Sequence, residues 1–233
     1  MYKTLKNSWA LFTGFAILAT AHGFQGNLLG VRAVIEEFNY LAVGALFSGY
    51  FLGYFVGAFY CPKLINSVGH IRTFSAFASL ASLSALIHVT FVNPYVWIFG
   101  RFLTGFSMIA IFIVTESWLN DRATNRNRGQ ILSLYMIITY VAFATGNLLL
   151  NVSSPTKYEP FILISVLFSI ALIPILLAKK KPPKFKKTAS MSIKELYRVS
   201  PFGSFAMLCT GFIYSAVLTL SLIHISEPTR PLT

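Results

Sequence analysis

Charge is scarce in this chain. Of its 233 residues only 11% are Asp, Glu, Lys or Arg, against about a quarter in a soluble globular domain. Acidic residues are the scarcest, seven against nineteen basic ones. Hydrophobic residues make up 55% and the mean hydropathy is +0.67. A surface so poor in charge would associate and precipitate in water, so lipid must cover most of it. Cysteine is also scarce. Cys61 and Cys209 lie in or beside apolar runs, with no CxxC and no metal-ligand spacing. That excludes a disulfide framework and a zinc site, and leaves two reduced, inert thiols. A phosphate-binding loop, Gly-x-Ser-x-Gly and His-Glu-x-x-His are all missing, which removes the enzyme classes that need them and any expectation of a cofactor or metal. The net charge of +12 does not point to nucleic acid as a partner. Its Lys and Arg fall between apolar runs, not on one face of a soluble fold.

What is abundant is long apolar sequence. Seven runs stand out, at roughly 8–30, 41–60, 71–92, 95–119, 130–151, 159–178 and 201–222. Each is close to the ~20 residues that a helix needs to cross a bilayer. The expectation is an all-α polytopic membrane protein with the lipid bilayer as its main partner. The first run lacks a small-residue cleavage site and continues too far to be a cleaved signal.

Connections are short except for 179–200, which holds Lys179, Lys180, Lys181, Lys184, Lys186 and Lys187 and then an amphipathic stretch from Met191 to Val199. This divides the chain into a bundle of six helices over 1–178, a basic linker over 179–200, and the start of a second bundle over 201–220. Residues 221–233 have no periodicity and resemble read-through from a sequencing adapter. The expectation is that they are not native and that the chain is a truncated product of a longer gene. Fifteen of the nineteen Lys and Arg fall on the side of the N-terminus and the linker, two on the other. That bias predicts a cytoplasmic N-terminus and gives the lysines a role in topology and contact with anionic lipid.

Within the runs, Gly49, Gly53 and Gly57 share one helix face and predict close helix packing. Trp9, Tyr60, Tyr95, Trp97 and Trp118 sit near run ends and read as interfacial anchors. His70 and His88 read the same way.

Ionisable residues inside apolar runs are costly and face a cavity or a partner. Arg101 opens the fourth run and Glu116 nears its end. They are 15 residues apart, about 22 Å along a helix, so they cannot pair. Together they point to a protein that moves something along a polar path. Arg101 suits an anionic solute group or a proton-coupled carboxylate; snorkelling to the interface is the other reading. Glu116 suits an ion pair with Arg72 or Arg128, with Asp121 as a competing partner, or simple packing beside Trp118. On the first run His22 and Gln25 share a face and Asn27 points elsewhere. His22 could carry a coupling proton and Gln25 could bind solute. On the fifth run Tyr135, Tyr140 and Asn147 could line the same cavity, or merely pack.

Several stretches together resemble the major facilitator superfamily of secondary transporters. They are Gly57-x-x-x-x-Pro62 through Gly69-His-Ile-Arg72, Arg101-Phe-Leu-Thr-Gly105, Glu116-Ser-Trp-Leu-Asn120, Asn127-Arg128-Gly129 through Tyr135-Met136, and Gly146-Asn147. The family's loop motif carries Asp and Arg where this chain has Asn66 and Ser67. The combination is similar to a bacterial branch whose substrates are unknown. The resemblance implies two six-helix halves around a midplane site, with this chain holding the first half and one helix of the second. It also implies a bacterial inner membrane location, and alternating-access transport of a small solute, driven by a proton gradient. The family's gate pairs a carboxylate at the end of its fourth helix with the loop arginine, the roles that Glu116 and Arg72 would take. Drug efflux is not favoured, because the fifth run has Gly146 without the following proline of that branch. The competing expectation is a membrane scaffold or regulator, or a fragment inactive alone.

Overall fold

The computed structural model describes residues 2–152, 154–178 and 193–226. Every element among them is helical. In chain order they are α1 (Tyr2–Ile35), α2 (Tyr40–Val68), α3 (His70–Thr90), α4 (Pro94–Arg122), α5 (Arg128–Leu148) with a 3₁₀ turn at Leu149–Asn151, α6 (Glu159–Ile170), α7 (Leu172–Leu176), α8 (Ile193–Val199) and α9 (Pro201–Ser226).

Local chemistry sets the boundaries. The Asn39 side chain accepts the Ala42 N–H at 2.7 Å and starts α2. Asn93 accepts the Tyr95 N–H at 2.9 Å and starts α4, with Pro94 in the first turn, where its missing N–H costs nothing. α2 and α3 meet at Gly69, whose φ of +88° a side chain would strain. The sixth apolar run breaks at Ala171 into α6 and α7. Pro174 lies just past the break; it has no N–H for the carbonyl four residues back and its ring crowds that carbonyl.

Five helical stretches are long and apolar enough to cross a membrane: Tyr40–Val68, His70–Thr90, Pro94–Arg122, Arg128–Asn151 and Glu159–Leu176. The protein is an all-α multi-pass membrane protein. α1, at 34 residues, exceeds all of them in length and carries Lys3, Lys6, His22, Gln25, Asn27 and Arg32 among its apolar residues.

Residues 1–185 form one compact unit. α4 is its central post, with α2 and α3 packed on it, while α1 packs on α5 and α6. Buried Phe15, Leu18, Phe24 and Leu28 of α1 join Phe74 of α3, Met108 and Ile111 of α4 and Phe168 of α6 in one core. Leu52, Phe55 and Phe59 of α2 and Ile162 and Val166 of α6 stay exposed, as lipid-facing residues should.

The glycines do what their spacing predicted. A Cβ on Gly53 would strike the Phe102 carbonyl, and one on Gly105 would strike the Tyr50 carbonyl. The backbones of α2 and α4 therefore touch. Gly23 and Gly146 let α1 and α5 meet in the same way.

Some expectations for the ends of the runs need correcting. Trp9, Tyr60 and Tyr95 are exposed, but Trp97, Trp118, His70 and His88 are buried. Short loops fold each helix end against its neighbours, so a polar ring there finds protein before it finds the interface. The Trp97 Nε1–H donates to the Phe91 carbonyl at 2.9 Å, closing the α3–α4 corner.

Residues 186–233 form a second unit. Within it the amphipathic stretch is α8, and Ser200 and Pro201 start α9, the Gly203 N–H donating to Ser200 Oγ at 3.3 Å. α9 continues to Ser226, past the point where the tail was expected to begin. Lys179 to Lys187 and residues 227–233 lie outside the described residues.

Candidate functional site

Polar groups gather in two layers, one toward each end of the first unit. The first layer surrounds Arg101, seven residues into α4, or about 10 Å from the helix start. Its position follows from the glycines on either side. Gly105 admits the α2 backbone at Tyr50. Gly100 admits His88 of α3, whose Cε1 would lie 2.7 Å from a Cβ there. Two helices thus close over one arginine, which is only 4% exposed.

The guanidinium carbon lies 4.6 Å from the Tyr50 ring centre and 5.9 Å from that of Phe47. The His22 ring stacks on Tyr50 at 5.3 Å, and its Nε2 is 3.2 Å from the Tyr50 hydroxyl. The Gln25 amide donates to Ser84 Oγ at 3.3 Å, and Ser84 and Thr104 hydroxyls are 2.8 Å apart. His88 lies between the carbonyls of Ser84 and Trp97, at 2.5 and 3.2 Å. Among the described residues, Nε and Nη1 of Arg101, Nδ1 of His22 and Oε1 of Gln25 are buried without a hydrogen-bond partner. The ion pair found among the described residues is Arg32 with Glu36, so no described acid balances Arg101.

The layer extends toward α5. Asn27 donates to the Asn147 side chain, and both residues are partly or largely exposed. Tyr140 is exposed on the same face of α5 as Asn147.

The second layer lies at the opposite end. The Tyr135 hydroxyl donates to Glu116 Oε1 at 3.2 Å. Glu116 is not ion-paired to Arg72 or Arg128, both of which are exposed. Tyr135 is buried between α1 and α4 and its hydroxyl needs an acceptor, which Glu116 supplies. His70 is what ties the α2–α3 corner to α4, with Nε2 3.1 Å from Ser117 Oγ and its ring against Trp118. Arg122 lies 5.4 Å over the Trp118 ring, and the exposed Asp121 is within electrostatic reach of both His70 and Arg122.

The model of the Major Facilitator Superfamily matches residues 11–227. The chain belongs to the Major Facilitator Superfamily. It is similar to an uncharacterized MFS-type transporter of Yersinia enterocolitica, 32% identical over 136 residues, which is 58% of this chain and 36% of that protein. It is also similar to uncharacterized MFS-type transporters named YcaD from Escherichia fergusonii and Shigella flexneri. Each is 24% identical over 93% of this chain and 57% of the relative. The chain spans little more than half the length of the two YcaD superfamily members, and its match covers about a third of the Yersinia protein.

Reading the sequence alone missed Tyr50, Ser84, Thr104 and His88 in this superfamily bundle. A signal was available: Gly100 and Gly105 flank Arg101 in the sequence, and glycines beside a buried ion mark where neighbouring helices approach it. Which neighbours approach is a matter of topology.

Proposed function

We propose that the protein is a secondary active transporter that moves a small solute by alternating access, with this chain providing its first bundle of six helices and the start of a second. α1 would then be the sixth crossing element beside the five apolar spans, and residues 179–200 the linker between bundles. The observation that carries this reading is a polar layer about 10 Å inside the start of α4, with, at its heart, a buried Arg101 that no described acid balances. In lipid every polar group must be satisfied by protein or by a wet cavity. Stacking on Tyr50 offsets about 0.5–2 kcal/mol, less than the several kcal/mol that desolvating an ion costs. Arg101 therefore needs an anion that these helices do not supply. Asn27, Asn147 and Tyr140 extend the layer to a surface that lipid would cover badly, which suits a solute cavity shared with a second bundle.

The distribution of Lys and Arg supports a cytoplasmic N-terminus in a bacterial inner membrane. In that orientation Glu116, Asp121, Arg72 and Arg128 form the cytoplasmic end. There Glu116 would exchange its Tyr135 bond for an arginine as the cavity closes. A proton gradient is the proposed energy source, with His22 a candidate carrier.

The test is transport by the full-length gene product in vesicles, with a pH probe, screened across solutes. Arg101→Ala should insert normally and lose uptake. Uptake unchanged in that variant rules the site out. A reporter fused after Lys187 should read as cytoplasmic, and a periplasmic signal reverses the orientation.

A further inference from the structure

The Arg101 layer also carries information about the solute, on the reading above that this chain is half of a carrier. Arg101 is the only Lys or Arg buried among the described residues. His22 and His88 lie within electrostatic reach of it, and the hydrogen-bonded Gln25, Ser84 and Thr104 add only neutral amides and hydroxyls to the layer. One cation can balance one negative charge; a second anionic group would enter a desolvated site without a counter-ion. Guanidinium is planar and matches a carboxylate with paired N–H donors, and Nε and Nη1 both lack partners.

The surroundings favour an apolar body behind that carboxylate. Phe47 and Tyr50 lie against the guanidinium, Phe51 packs on Tyr50 with ring centres 5.3 Å apart, and Phe143 lies 5.7 Å from His22. His22 has a free Nδ1 and its Nε2 beside the Tyr50 hydroxyl. When that hydroxyl donates to Nε2, Nδ1–H becomes a second donor for the same layer. Four aromatic rings and a single cation do not suit a sugar, which needs many hydrogen-bonding partners, nor a cationic drug, which Arg101 would repel.

We propose that the transported solute is a monocarboxylate with an apolar or aromatic body, and that Arg101 binds its carboxylate while Tyr50 holds the guanidinium in place.

The experiment uses the purified full-length gene product in detergent near neutral pH. Thermal unfolding is followed with benzoate, phenylacetate and hexanoate as probes, with benzamide as the uncharged shape control and phthalate as the dianion. Monocarboxylates should raise the melting temperature by several degrees, and benzamide and phthalate should not. Arg101→Gln should melt at or above the wild type without any probe, because an unbalanced charge has been removed, and it should lose the response. Tyr50→Leu should fold and respond at least tenfold more weakly in probe concentration. An Arg101→Gln protein that still responds like the wild type overturns the proposal. So does a wild type silent to all three monocarboxylates; if neutralising an acid in the rest of the protein then restores the response, Arg101 pairs within the protein and not with solute. Vesicle uptake separates this failure from failure of the carrier reading. Arg101-dependent uptake of an uncharged or cationic solute sinks the monocarboxylate assignment and keeps the carrier, whereas no flux of any solute sinks both.

Discussion

The two polar layers sit on the same bundle and share α4, yet they handle charge in opposite ways. Around Arg101 the ion is nearly sealed, its ring partners are aromatic, and no described acid answers it. Around Glu116 the ion is exposed and bonded to a tyrosine, on a helix end that also carries Asp121 and Arg122. Packing explains the difference. Both residues lie about 10 Å from an end of α4, but Glu116 is left exposed beside a charged loop, whereas Gly100 and Gly105 let α3 and α2 close over Arg101. An unbalanced charge in the Arg101 setting is expensive and is a candidate for solute chemistry. A charge in the Glu116 setting costs little and can switch partners.

This contrast can be broken by experiment. The largest effect expected is on transport by Arg101→Ala, a loss of about a hundredfold or more, since removing one partner of a buried charge pair costs roughly 2–5 kcal/mol. Uptake kinetics in vesicles with matched protein amounts check this. Next comes Gly53→Leu, whose side chain must enter the Phe102 backbone. Overpacking of this kind costs about 1–3 kcal/mol or more, and the melting temperature should fall while Tyr50 is pushed from Arg101.

At the other end the effects should be smaller. Glu116→Gln should melt within about 1 kcal/mol of the wild type, because an amide oxygen still accepts from Tyr135. It should slow transport only severalfold, by removing the charge needed for an arginine in the other state. Transport at the wild-type rate would reduce Glu116 to a packing residue. The smallest change expected is for His70→Phe, which keeps the ring against Trp118 and loses one hydrogen bond, worth about 1 kcal/mol. If His70→Phe proves worse than Arg101→Ala for transport, the ranking of the two layers is inverted.

How much of this was legible beforehand varies from residue to residue. Asn93 and Pro94 announce the start of α4, and Gly49, Gly53 and Gly57 announce a close crossing, because caps and small residues act within a few positions of themselves. Arg101 stood out because a charge in an apolar run is costly wherever the helix is placed. Tyr50 did not stand out, being one aromatic among many until Gly105 brought its backbone onto α4. His88 and Trp97 read as interfacial from their nearness to helix ends, and the α3–α4 corner buried both. The partner that Glu116 has in this structure was not legible either. Charge complementarity in the sequence favoured an arginine, whereas the buried Tyr135 hydroxyl claimed the carboxylate.

Composition and the spacing of apolar runs determined the class of molecule, a helical multi-pass membrane protein, because lipid imposes length and polarity on each segment separately. They also picked out Arg101 and Glu116 as exceptions. Tertiary structure alone decided what meets those exceptions: two glycines on α4 set how near α2 and α3 can come, which leaves Arg101 stacked on Tyr50 with no described acid, and the packing of α5 gives Glu116 to the Tyr135 hydroxyl. Such partners are properties of helices far apart in the chain, and no local pattern encodes them.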